Sequence, residues 1–161
     1  MISVHTDCYP LVLLYFSQEK HAEAEWRALF EKTNEVARRA LANGTYYASI
    51  AMVDASVSAS ERKLVGQLVE ATPAELRARV VASYVVGLPG PIRTILVGLR
   101  WLAPNLVPTE PASTIEEAIA SATTVLSKRN MRVDDAAREN ARRWLEQHQA
   151  TRRSAANTGG R

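Results

Sequence analysis

Leu11-Val12-Leu13-Leu14-Tyr15-Phe16, residues 11–16, is an unbroken run of apolar and aromatic side chains. A strand with one wet face alternates apolar and polar residues, so this run is too continuously apolar to be half exposed. Directly after it the period changes. Ala22, Trp26, Leu29, Phe30, Thr33, Ala37, Ala40 and Leu41 recur every three or four residues, marking one face of a long helix. Asn43-Gly44 supplies its stop, because glycine accepts the left-handed conformation that a helix end often needs.

Upstream, residues 2–5 form a first short strand, joined to 10–16 by the turn-forming Thr6-Asp7-Cys8-Tyr9-Pro10. Downstream, Tyr46 to Val53 reads as a strand and Ala59 to Ala71 as a second helix. Thr72-Pro73-Ala74-Glu75 then offers a cap, a proline at the first helical position and a glutamate three residues after the cap, which opens a short helix. Residues 80–86 form another buried strand, broken by Gly87-Leu88-Pro89-Gly90-Pro91. Ile92, Ile95, Leu96, Leu99 and Leu102 mark a third amphipathic helix. Residues 104–112 hold an edge strand around Leu106-Val107, kept short by its prolines, and Ser113-Thr114-Ile115-Glu116 opens a helix over 114–128. The predicted order is β-β-α-β-α-β-α-β-α, an α/β fold with a mixed sheet of about five strands and helices packed against it.

Residues 130–150 add a helix beyond this domain of residues 1–129. Val133, Ala137, Ala141, Trp144, Leu145 and His148 share its apolar face, and Asp134 is its expected cap. A lone helix of this length is marginal in water, so it must dock on something. Arg138, Glu139, Arg142, Arg143 and Glu146 crowd the rest of the helix. It can dock on its own domain, covering a helix or the sheet edge, but so many charges around one tryptophan point to a surface contact, with Trp144 and Leu145 meeting a second chain in a weak homodimer or a partner. Residues 151–161, rich in Arg, Ser, Thr and Gly, are expected to be a disordered tail.

The composition narrows the class. At 161 residues, 47% hydrophobic and 23% charged, the chain fits one ordinary globular domain with an appendage. The formal net charge of +3 owes much to Arg138, Arg142, Arg143, Arg152, Arg153 and Arg161, which reads as a solvated basic end rather than a nucleic-acid surface. The lone Cys8 forms no internal disulfide and fits a reducing compartment, and the opening residues lack a signal-peptide pattern. The most apolar stretch, 80–102, is punctuated by Gly87, Pro89, Gly90, Pro91, Arg93 and Arg100, unlike a membrane span. A cytoplasmic protein is expected. His5, His21 and His148 are far apart, no spacing resembles a metal site, and no nucleophile stands beside a base, so neither a cofactor nor catalysis is expected.

The element order, with a strand ending on Asp54 followed by serines and a helix, resembles the STAS fold of anti-sigma-factor antagonists. It is closer still to the small bacterial relatives of that fold, sometimes called STAS or CRAL-TRIO-like. The residues that carry the likeness are Met1-Ile2-Ser3-Val4, Tyr9-Pro10-Leu11-Val12, and Val86-Gly87-Leu88-Pro89-Gly90-Pro91-Ile92-Arg93. Leu99-Arg100-Trp101-Leu102-Ala103-Pro104 and Val107-Pro108-Thr109 complete it, over roughly residues 1–128. The resemblance implies a partner-binding surface around the loop after Asp54 and the helix beyond it. In antagonist members a partner kinase phosphorylates a serine there and the added charge breaks the complex; by position Ser56 matches best and Ser58 next. Those proteins tend to carry Asp-Ser-Ser-Gly, where this chain has Asp54-Ala55-Ser56-Val57.

By spacing alone, Ser58 with Glu61 forms a capping box at the start of the second helix. If the strands ending at Val53 and Val86 are parallel neighbours, their carboxyl ends open on one edge, where ligands of open α/β sheets sit. The turn at Gly87, Pro89 and Gly90 precedes a helix whose N–H groups and Arg93 offer an anion site, or serves only to shape the chain. The expected function is a non-enzymatic regulatory module that docks a protein partner, such as a kinase or signalling protein. Its docking residues are Asp54, Ser56, Ser58, Glu61, Arg62, Gly87, Pro89, Gly90 and Arg93. The alternative is a small-molecule or lipid-binding domain with a pocket at the same edge.

Overall fold

A computed structural model describes residues 1–17, 19–53, 58–87 and 108–158, the last eight of these in backbone only. Five strands form one mixed sheet: β1 (Ile2–His5), β2 (Leu11–Phe16), β3 (Tyr47–Val53), β4 (Val80–Val86) and β5 (Thr109–Ala112). They lie in the order β1-β2-β3-β4-β5. β1 runs antiparallel to β2, with Ile2 opposite Phe16, and every later pairing is parallel. The helices are α1 (Glu23–Ala42), α2 (Ala59–Ala71), α3 (Ala74–Arg77), α4 (Ile115–Ser127) and α5 (Asp135–Thr158).

Strand order explains the layers. The parallel strands succeed one another in a single direction, and right-handed crossovers therefore carry α1, α2 and α3 over the same face. The opposite face is left for the chain beyond β5, and α4 and α5 cover it. The run 11–16 has neighbours on both sides as a result. Val12 packs with Val36, Ala37, Ala40, Tyr47 and Leu76 on the α1 face, while Leu11, Leu13 and Tyr15 join Ile50, Met52, Tyr84 and Val86 on the other. Cys8 is fully buried beside this second group, and burial, helped by the nearby Asp7 charge, pushes its thiol pKa up.

The local signals have identifiable partners. Gly44, at φ 64°, is the left-handed stop of α1, and the following Thr45 N–H donates to the Ala40 carbonyl at 2.8 Å. Asp134 Oδ1 accepts from the Ala137 N–H at 2.7 Å, so it caps α5 as expected. Thr114 Oγ1 does the same for α4, accepting from the Glu117 N–H at 3.0 Å.

Three details depart from the sequence reading. Thr72 does not cap α3. It terminates α2, its hydroxyl donating to the Leu68 carbonyl at 2.9 Å, and Pro73 takes the capping position instead. A threonine beside a helix end can satisfy an orphan carbonyl behind it as readily as an amide ahead. The edge strand is Thr109–Ala112, next to β4; Leu106 and Val107 lie outside the described residues, as does the predicted helix at 92–102. Pro111 fits there because an edge strand need not donate on its outer side. The last helix continues through Thr158, beyond residue 150, across most of the segment expected to be a disordered tail.

Candidate functional site

Parallel pairing of β3 with β4 sets Met52 opposite Val86, and pairing of β2 with β3 sets Phe16 opposite Val53. The carboxyl ends of three strands therefore finish side by side on one edge of the sheet. The chain leaving β3 enters α2 there, and the chain leaving β4 turns at Gly87, whose φ of 90° excludes most side-chain-bearing residues. Asp54, Ser56, Pro89, Gly90 and Arg93 lie outside the described residues. Ser58, Glu61, Arg62 and Gly87 are described.

Ser58 and Glu61 form the reciprocal box that their spacing predicts. The Glu61 N–H donates to Ser58 Oγ at 3.3 Å, and the Ser58 N–H donates to the Glu61 carboxylate at 2.8 Å. The Ser58 hydroxyl also donates to the same carboxylate oxygen at 2.5 Å. Spacing did not show where the other oxygen goes. Glu61 Oε1 accepts from the His21 N–H at 3.2 Å, tying the start of α2 to the segment between β2 and α1. Glu61 is accordingly only 7% exposed.

These donors set its charge state. The Ser58 hydroxyl, then the Ser58 N–H, hold the Glu61 carboxyl down at about 2 against the raising effect of burial, with the His21 N–H adding to them. The Trp26 indole N–H lowers it slightly further, although it closes no hydrogen bond of standard geometry. Glu61 is thus a buried structural anion, not an outward-facing contact. Arg62, one residue on, is exposed.

His21 and Trp26 belong to this edge too, although the sequence reading did not place them in the site. His21 is buried, packed edge-on against Trp26 with ring centroids 5.7 Å apart, and Phe16 leans on both. His21 Nε2 and Trp26 Nε1 are buried without a hydrogen-bond partner. No local signal could have linked them to Glu61, which is 40 residues from His21 along the chain.

Of the pair expected to meet a second chain, Leu145 is placed elsewhere and Trp144 is shared with this chain's own rings. Leu145 has no exposed surface and sits inside this chain's own core with Leu126, Val133 and Ala141. Trp144 is half-buried, its ring stacked on His5 at 5.5 Å and tilted against His148 at 4.0 Å, while His148 meets Tyr15 at 4.6 Å. A narrow apolar face suffices because α5 lies in the groove between α4 and β2, where small Ala141 permits close approach. Arg142 is held on the outer side by Glu139 and Glu146, at 2.7 Å each.

One cavity of about 230 Å³ lies between α1, the end of α2, α3 and the middle of the sheet. Leu14, Phe30, Ala37, Ser49, Arg77 and Ser83 are among its walls, which places it on the sheet face rather than at the carboxyl edge. Among the described residues no group of three or more His, Cys, Asp or Glu side chains could hold a metal ion, and no helix is long and apolar enough to cross a membrane. No family model matches the chain, and no curated protein or solved structure matches it.

Proposed function

We propose that the chain is a non-enzymatic, STAS-like regulatory module that docks a protein partner at the carboxyl edge of its sheet, through α2 and the segments that lead into and out of it. The observation that carries this reading is the parallel pairing of β3 with β4. It sends both candidate segments, after Val53 and after Gly87, out from neighbouring strand ends. The exposure of α2 supports it: Glu61 is its one buried residue, while Leu64, Val65, Leu68 and Val69 are half-buried and Arg62, Lys63, Gln67 and Glu70 face solvent. A helix anchored at its cap, with one side half-buried and the other facing water, is suited to meet another surface. On this reading Ser56 is the position where added phosphate charge would release the partner.

The experiment is affinity capture from the source cell with wild-type protein, Ser56→Asp and the double variant Arg62→Glu/Lys63→Glu. A partner retained by wild type and lost by both variants, with melting temperatures unchanged, supports the reading. A partner held equally by all three proteins removes the edge from consideration.

A further inference from the structure

Sheet centres beneath a helix are usually filled by large aliphatic side chains, but here three small residues face one another. Ser49 of β3 and Ser83 of β4 stand opposite Ala37 of α1, and the 230 Å³ cavity is the space that larger side chains would have occupied. Its walls are largely apolar or aromatic, including Leu14 and Phe30; Asn34 also lines it, as do Thr33 and Thr72, whose hydroxyls already donate to the Leu29 and Leu68 carbonyls. Two further polar features stand among them. The Ser49 and Ser83 hydroxyls lie 2.8 Å apart, and a single bond between two hydroxyls consumes one proton, so the pair keeps one O–H to offer. Arg77, part-buried, also lines the cavity, and its guanidinium Nε is buried without a hydrogen-bond partner.

A buried guanidinium N–H left without a partner beside a largely apolar cavity is a combination that folding alone does not favour, because a buried donor left unmade costs free energy. A ligand with an apolar body and one anionic end would relieve it. Arginine binds carboxylates in a two-point fork, and the serine hydroxyl can donate to the same kind of group. The size is set by comparison: a dry cavity of about 150 Å³ in another protein accommodates benzene, so this one has room for an aromatic ring or short branched chain plus a carboxylate. We propose that this cavity is a binding site for a small apolar monocarboxylate, its tail against Leu14 and Phe30 and its carboxylate on Arg77. The site lies at the end of α2 away from its cap and from the partner edge, and it stands or falls independently of the partner reading.

The test uses the full chain with 4-methylbenzoate as probe, its neutral analogue 4-methylbenzamide, and acetate as an anion without an apolar body. Binding is followed by calorimetry and by amide chemical shifts. Saturable binding of 4-methylbenzoate is expected, with shifts at Ser49 and Ser83, and at least about tenfold weaker binding of the amide and of acetate. Arg77→Gln should weaken the benzoate by about the same factor and leave the amide unchanged. Ala37→Leu, which fills the space, should abolish binding. Equal affinity for benzoate and benzamide would overturn the carboxylate assignment. Absence of saturable shifts, as in a cavity that holds only water, would overturn the site. The comparison of the three probes on wild-type protein decides both points even if a variant does not fold.

Discussion

On the face under α4 and α5, the sheet contributes Leu11, Leu13, Tyr15, Ile50, Met52, Tyr84 and Val86, with the small Ala48 and Ala82; on the face under α1 to α3, it contributes Val12, Leu14, Tyr47, Val80, Ser49 and Ser83. The same strands supply both sets, because successive side chains point to opposite faces. One face is closed by interdigitated large residues and by a helix, α5, with Leu145 wholly enclosed. The other is spanned by α1 but keeps a cavity, a serine pair and a helix, α2, whose one buried residue is a carboxylate. One sheet thus serves two ends. Dense packing on one side supplies the stability that lets the other side keep space and polar groups.

Leu145→Ala puts this contrast to its most severe test. A fully enclosed leucine of the dense face should cost about 3 kcal/mol when removed, measured by denaturant unfolding. A loss near zero would mean that α5 is an ornament on the surface and that the two faces are alike. The same experiment addresses docking, since the large loss should appear at protein concentrations where the chain is monomeric.

Glu61→Gln probes the polar anchor of the open face and should cost about 2 kcal/mol at neutral pH, through lost capping and lost charged hydrogen bonds. The sign of its pH dependence follows from a carboxyl held down at about 2 by its donors. A carboxylate whose folded pKa is depressed stabilises the fold above its unfolded pKa, and that contribution fades as pH falls toward the folded value. The stability gap between wild type and Glu61→Gln should therefore be full above about pH 4.5 and close progressively toward pH 2. A gap that does not change over this range would show that the carboxylate is not the anchor.

Ser58→Ala should cost less, about 1 kcal/mol, the usual loss of a good N-cap. Thermal unfolding checks it, and a cost equal to that of Glu61→Gln would merge the two residues into one inseparable unit. The smallest effect is expected for the double variant Ser49→Ala/Ser83→Ala. Removing both partners of a hydrogen bond leaves no orphan, so stability should change by less than about 0.5 kcal/mol, in contrast to any leucine on the other face. A large loss there would show that the serine pair, rather than the helices, holds the open face together.

The kinds of element and most of their punctuation were legible in the order of residues. The unbroken apolar run 11–16, the periodicity of the helix after it, the stop at Gly44, the Ser58–Glu61 box and the Asp134 cap all act within a few residues, so spacing reveals them. Where the punctuation was ambiguous, as at Thr72, one hydroxyl had two backbone groups in reach and only the folded helix chose between them. Tertiary structure decided everything that depends on register and face. His21 reaches Glu61 across 40 residues and Ser49 meets Ser83 across 34, contacts that exist only because three strands lie parallel and in step. It also decided that α5 buries Leu145 in its own domain, because the groove that receives it is made by β2 and α4 together and belongs to neither alone.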